Sequence, residues 1–403
     1  MADMARLPDG EAPPADGALP EASLRGLGEP GRPFGVYVHV PYCASICGYC
    51  DFNTYIPSEA TPAGYGAAIR AELALARRVL GDAAPRAQTV FLGGGTPTLL
   101  PPAELARILD AIREHIGLAP GAEVTTEANP ESVDPVALAA LREAGFTRIS
   151  LGMQSASAHV LETLDRHHTS GRAVAAAREA RAAGFEHVSL DLIYGTPGER
   201  AEDWERSLHA ALEAEPDHVS AYSLIVEPGT KLAARVRRGE LPAPDDDVLA
   251  ARYETAERIL GDAGLRWYEV ANYARTDADR CLHNLGYWGG GDWWGAGPGA
   301  HSHVGGVRWW NVLHPARWMA LLAEGASPAA GREQPDDDAA RLEHVMLAVR
   351  LRDGLELDGD NRATAAQLAA DGLLEPEPLA AGRAVLTLRG RLLADRVTLA
   401  LAG

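Results

Sequence analysis

Cysteine is scarce in this chain, four in 403 residues. Three of them, Cys43, Cys47 and Cys50, fall within the stretch "VYVHVPYCASICGYCDF", and Cys281 lies far from them. So few cysteines, gathered this way, suggest metal binding or redox chemistry in a reducing compartment more than disulfides. Positive charge is also short, with 37 Lys+Arg against 56 Asp+Glu and a net charge of −19. That argues against nucleic-acid binding, which needs a cationic footprint. Nearly all of the positive charge is arginine, which we read as coding bias. No apolar run approaches the roughly 18 to 20 residues of a membrane span. The opening "MADMARLPDGEAPPADGALP" is acidic and Pro-rich, unlike the basic start and apolar core of a signal peptide. The expected location is the cytoplasm, with at most peripheral membrane contact.

What is present is the composition of a globular protein, 46% hydrophobic and 23% charged. Residues 1–33 lack periodicity and are expected to form a disordered leader. Short β-branched runs then alternate with alanine-rich helical segments. The runs are "GVYVHV", "TVFLGG", "EVTTEAN", "RISLGMQS", "HVSLDLIYG" and "HVSAYSLI". Six strand-then-helix units in succession predict an α/β fold with a parallel sheet and right-handed crossovers. Periodicity does not decide between a barrel and an open sheet. This unit is placed at 34–265.

Polar and glycine residues gather at the carboxyl ends of these strands. The cysteine loop follows the first, and Gly93 to Thr98 follow the second. Glu127 and Asn129 end the third, Gln154 ends the fourth, Asp191 lies in the fifth, and Tyr222 and Ser223 in the sixth. Parallel α/β folds place their active sites there. One such group would be an ordinary loop; six in register point to a single site.

Residues 266–334 are aromatic and glycine-rich, with seven of the eight tryptophans between Trp267 and Trp318. They are expected to pack over something large and flat and so cover the barrel, or to form an aromatic core of their own. Residues 335–403 read as a small α+β module of winged-helix type: a helix, a second short helix, a hairpin and a last helix.

The cysteine spacing has competing readings. Zinc takes four ligands, and His39 is a candidate fourth. A catalytic cysteine needs no two companions. An iron–sulfur cluster on three thiolates leaves one iron open to a substrate or cofactor, and C-x3-C-x2-C directly after the first strand favours it. Cys281 reads as a free buried thiol.

"CASICGYC" resembles the C-x3-C-x-Φ-C signature of the radical S-adenosylmethionine (SAM) superfamily. "VYVHVPYC", "GGGTPT", "GMQS", "DLIYGTP" and "HNLGYW…GAGPGAHS" are similar to the branch containing oxygen-independent coproporphyrinogen III oxidase and the HemW-type haem chaperones. The likeness runs from about residue 34 to the end. It implies an incomplete (βα)6 TIM-like barrel followed by a small C-terminal domain. It also implies that Cys43, Cys47 and Cys50 hold a [4Fe–4S] cluster. SAM would be bound by Tyr37, Tyr49, Gly94, Gly95, Thr96, Glu127, Gln154, Arg166 and Asp191. Glycine would let backbone approach the cofactor, arginine suits a carboxylate and an acid suits a ribose diol.

Within that branch the oxidases resemble C-x3-C-x2-C-x-C; here the last position is Phe52. The leader is also a poor match to the arm that covers the oxidases' porphyrin. Both features favour the chaperone, implying haem and haem-accepting proteins as partners, and admitting an electron donor such as flavodoxin. The alternatives are a radical enzyme acting on a porphyrin, the oxidase among them, and a zinc-stabilised binding protein. For haem, "HNLGYW" offers His283 with Tyr287 and Trp288, and His301 and His303 are competitors.

Overall fold

Strand β1 (Phe34–Val40) shows how the fold is written. Val36, Val38 and Val40 are fully buried on one face, while Gly35, Tyr37 and His39 occupy the other. In the computed structural model, which describes residues 7–29, 31–57, 64–167, 169, 171–359 and 361–403, the first face packs under helices and the second faces a shared interior. Strands buried on both faces are the mark of a parallel sheet.

The units that follow are α1 (Tyr65–Leu80), β2 (Ala87–Gly94), α2 (Pro102–His115), β3 (Leu118–Ala128), α3 (Pro135–Ala144) and β4 (Arg148–Gln154). After them come α4 (Ala158–Thr163), α5 (Arg172–Ala182), β5 (His187–Tyr194), α6 (Ala201–Leu212) and β6 (His218–Ser223). Strands β1 to β6 pair in parallel and in sequence order. Aspartates start several helices: Asp134 accepts from the Ala137 amide at α3, relieving a backbone N–H that the helix cannot pair. Helices α7 (Lys231–Arg237) and α8 (Asp246–Asp262) lead out of the barrel.

Most of the aromatic region extends the sheet and forms aromatic core beneath it; only the helix Leu282–Trp288 covers the barrel. Strands β7 (Arg266–Glu269) and β8 (Asn272–Ala274) add antiparallel to the edge of β6. Helix α9 (Leu282–Trp288) follows, and then β9 (Asp292–Ala296) pairs in parallel with β1 on the opposite edge. Strands β10 (His301–Val304), β11 (Val307–Asn311) and, after α10 (Pro315–Ala323), β12 (Ala329–Glu333) continue outward, antiparallel, giving a twelve-stranded sheet. The tryptophans serve as core under this extended sheet: Trp294, Trp309, Trp310 and Trp318 are buried. Between the two edges α9 passes across the amino-terminal end of the barrel, where the Leu282 and His283 amides donate to Glu123 of β3.

The leader is a second correction. Residues 7–29 are held against the sheet. The Glu11 and Arg332 backbones exchange two hydrogen bonds, the Ser327 amide donates to the Ala15 carbonyl, and Leu19, Leu24 and Leu27 pack on the core. Composition predicts disorder when a segment has no apolar face of its own, yet the exposed edge of β12 supplies a partner. Residues 1–6 lie outside the described residues.

The C-terminal module runs α11 (Asp337–Ala348), β13 (Leu355–Glu356), α12 (Arg362–Ala370), α13 (Pro376–Ala380), β14 (Arg383–Ala384), α14 (Leu388–Leu392) and α15 (Ala394–Ala402). It has its own core around Val349, Leu373 and Val397. The expected hairpin is absent as such; β13 and β14 do pair antiparallel, but α12 and α13 separate them.

Candidate functional site at the open end of the barrel

Cys43, Cys47 and Cys50 stand half-buried in the loop after β1. Backbone hydrogen bonds fix that loop. The Cys43 amide donates to Tyr55, Gly48 donates to Leu164, and Leu232 donates back to Gly48. The β2 loop clasps it from the side, Gly95 and Thr96 donating to Val40 and Tyr42. Added at Gly95, a Cβ would lie 2.6 Å from the Tyr42 carbonyl oxygen and 2.9 Å from that of Val40. Glycine is therefore required there by the protein's own packing, before any cofactor approaches. At Gly94 the backbone has φ +104°, a left-handed conformation that glycine adopts without strain.

Below the loop is a cavity of about 530 Å³. The three cysteines and all of Tyr37, Tyr49, Gly94, Gly95, Thr96, Glu127, Gln154, Arg166 and Asp191 line it. Arg166 donates from Nη1 to the Cys47 sulfur at 3.6 Å, and Thr96 donates to the Cys43 sulfur at 3.8 Å. A guanidinium and a hydroxyl against sulfur suit thiolates that carry charge. Gln154 has φ +61° at a bulge in β4, a rare conformation for a residue with a side chain. At Gly152 a Cβ would lie 2.7 Å from Arg166 and 2.9 Å from the Gln154 amide, so this glycine makes room for both.

The acids in the wall are shifted. Burial, the nearby Asp191 and only one donor, the Gly94 amide at 3.0 Å, push Glu127 up to about 8. Burial raises Asp191 as well, although Ser150 donates toward both carboxylate oxygens, at 2.9 and 2.8 Å. Burial likewise raises the Cys43 thiol and pushes Cys50 up to about 11.

The residues present fit a [4Fe–4S] cluster better than zinc. Among the described residues no three His, Cys, Asp or Glu groups converge on a single ion, as zinc requires. A cluster presents several irons to its thiolates. Nor can His39 serve as the fourth ligand. Its Nε2 donates to the Asn53 carbonyl and its Nδ1 accepts from Tyr37, each at 2.9 Å; the carbonyl can only accept, which sets the tautomer. Three buried polar atoms in the wall, Arg166 Nε, Thr125 Oγ1 and, at the closed end, Arg148 Nη1, have no partner among the described residues, as expected of a surface built to meet a ligand.

At the far end of the cavity the picture changes. His283 is 2% exposed, with Nδ1 2.8 Å from the Thr89 hydroxyl and Nε2 2.7 Å from that of Tyr287. Burial lowers its pKa to about 3, so the ring is neutral. Ligation of haem iron by His283 would break one of these bonds inside a packed layer of Tyr37 and Phe91. Trp288 is not part of the cavity wall; its indole bonds Glu269. His301 and His303 also lie outside the wall, and His303 bonds the Gly291 carbonyl. Cys281 lies at this closed end beside Glu123, apart from the other three cysteines.

Reading strand ends missed Thr125 and Ser150. Both lie upstream of polar residues already singled out, Thr125 on the strand of Glu127 and Ser150 on that of Gln154, and both face inward. Strict alternation traced back along β3 and β4 would have found them.

Among the described residues no helix is long and apolar enough to cross a membrane. The Radical SAM superfamily model matches residues 37–211. The chain is 57% identical over 380 residues to heme chaperone HemW of Mycobacterium tuberculosis, covering 93% of this chain and 96% of that protein. It is 32% identical over 373 residues to heme chaperone HemW of Bacillus subtilis, covering 90% and 97%. Identity is 41% over 307 residues to the mouse radical S-adenosyl methionine domain-containing protein 1, mitochondrial, covering 73% and 69%. In fold it is similar to the coproporphyrinogen III oxidase HemN of Escherichia coli, with a TM-score of 0.80 at 23% identity, over 96% of this chain and 94% of that one. An α/β partial barrel with a cysteine triad at its open end, and this identity over nearly the whole length, mean that the chain belongs to the HemW family of the radical SAM superfamily.

Proposed function

We propose that this protein binds haem and passes it to haem-accepting proteins, with a [4Fe–4S] cluster on Cys43, Cys47 and Cys50 and SAM in the cavity beside it. The observation that carries this reading is the identity of 57% to a protein named heme chaperone HemW, over 93% of the chain. The cavity supports it. Every residue that the family resemblance assigns to SAM lines one space. When bound, the cluster supplies an open iron for the amino and carboxylate groups of SAM and one-electron chemistry.

This chain's own residues do the rest. Arg166 offsets the negative charge of the thiolates and has a free Nε for a carboxylate. Asp191, held by Ser150, and Glu127 are placed to accept from hydroxyl and ammonium groups. Thr96 and the Gly94–Gly95 turn bring backbone to the sulfurs' side of the cavity. Phe52 stands where the oxidases carry an additional cysteine, and it is 61% exposed. We therefore favour haem transfer over porphyrin decarboxylation.

The test is a haem titration of anaerobically reconstituted protein beside a coproporphyrinogen III decarboxylation assay. One haem per chain and no decarboxylated product are expected. Many turnovers of decarboxylation would replace this reading with the oxidase.

A further inference from the structure

We infer that haem sits on the rim of the cavity, packed on Phe52, Ile46 and Ile225 with His167 as its axial ligand, and not at His283; this rests on the proposed function. Three observations converge on it.

Space is the first. A cavity of about 530 Å³ is within the range that takes one drug-sized ligand, roughly 300 to 1,000 Å³. SAM and the cluster claim that volume. Its wall is also lined with Glu127, Asp191, Ser150, Ser189 and Ser220, a poor match to an apolar macrocycle, because burying polar groups without partners is costly.

The second is the rim itself. Ile46 is 47% exposed, Phe52 61% and Ile225 63%, and all three line the mouth. Scattered exposed apolar side chains need no explanation, but three around one opening make an apolar collar. They come from two separate segments, the cysteine loop and the stretch after β6. A flat, largely apolar ligand would take these side chains out of water together.

The third is ligand chemistry. The described cavity wall contains three histidines, His167, His218 and His283. His218 is buried and bonded at both nitrogens, to Ser189 and Tyr268, as His283 is to Thr89 and Tyr287. His167 is exposed, directly follows Arg166, and makes no hydrogen bond among the described residues. It alone can offer a ring nitrogen to iron without dismantling the fold. A rim site also leaves one haem face in reach of an acceptor, which a transfer protein needs and an interior site denies.

Ferric haem titrated into the reconstituted full chain, followed by its Soret band, tests this. His167→Ala should shift the Soret maximum and weaken binding, and Phe52→Asp and Ile225→Asp should each weaken it about tenfold or more. Iron and sulfide content and SAM binding should be unchanged in all three. His283→Phe should leave the Soret maximum where it is. Two outcomes overturn the rim: wild-type affinity and spectrum in all three rim variants, or a Soret shift in His283→Phe alone. Wild-type haem binding with impaired haem release to an acceptor would make the collar a protein-docking face and also overturn it. Failure of the wild-type chain to take haem at all would instead defeat the proposed function.

Discussion

Glu123 and Glu127 lie four residues apart on the same face of the same strand, and their surroundings are opposite. Glu123, at the closed end, receives Arg148 Nε at 3.0 Å, the Leu282 and His283 amides at 3.1 Å each, and the Cys281 thiol. Glu127, at the open end, receives one backbone amide and faces the cavity with Asp191 nearby. A carboxylate whose acceptor sites are filled by fixed donors is structure; one left short of donors in an enclosed space is available to a ligand. Along one strand the lining thus changes from a carboxylate whose acceptor sites are filled to one whose sites are not.

The largest effect expected is all-or-none and belongs to the open end. Replacing Cys43, Cys47 or Cys50 by Ser should abolish bound iron and sulfide in anaerobically reconstituted protein, as measured by metal and sulfide analysis. Cys281→Ser, at the closed end, should keep both. Loss of iron from the Cys281 variant alone would erase the distinction between the ends.

Next is the closed-end pair. Glu123→Ala leaves Arg148, only 1% exposed, without its counter-charge and strips the first amides of α9 of their acceptor. A broken buried pair of this kind costs roughly 3 to 5 kcal/mol, visible as a lower midpoint in denaturant or thermal unfolding. A loss below about 1 kcal/mol would mean that α9 is not held by this carboxylate.

Glu127 should instead show itself through pH. Its folded pKa of about 8 lies above its ordinary value of 4.5, so folding of the cofactor-free protein favours the neutral form. That stabilisation is complete below pH 4.5 and is lost as pH rises through 8. The upper limit is about 5 kcal/mol, reduced by the carboxyl's open face toward the cavity. The raised Asp191 adds to the same slope. Glu127→Gln should flatten the decline of unfolding midpoint with pH; an unchanged slope would assign it elsewhere.

The smallest effect is at Gly95. With the Tyr42 carbonyl oxygen 2.6 Å from where a Cβ would stand, Gly95→Val should cost about 1 to 3 kcal/mol through overpacking. Because that carbonyl belongs to the cysteine loop, reconstituted iron should fall together with SAM affinity. Loss of SAM affinity with full iron content would return the glycine to a role in cofactor approach alone.

Much of this is legible in the residues. The β-branched runs match β1 to β6, since alternating burial leaves a periodic trace in sequence, and the polar residues ending successive strands do share one cavity. The aromatic segment reads as a cover from its composition, yet Trp294 and Trp309 are core residues of added strands, and composition does not say which edge a strand will join. The leader misleads for a similar reason: Glu11 finds its partner at Arg332, far along the chain.

By itself the sequence determined the parallel α/β unit, the triad of thiols at the end of its first strand and the set of polar residues around them. Those are local matters, set by period, spacing and residue chemistry. Only the tertiary structure decided which histidine of the described cavity wall is left without a hydrogen bond among the described residues. His283 and His167 carry the same imidazole, but one is locked between Thr89 and Tyr287 at the closed end and the other stands exposed at the open one. Availability of a side chain depends on what long-range folding places against it, and no spacing along the chain records that.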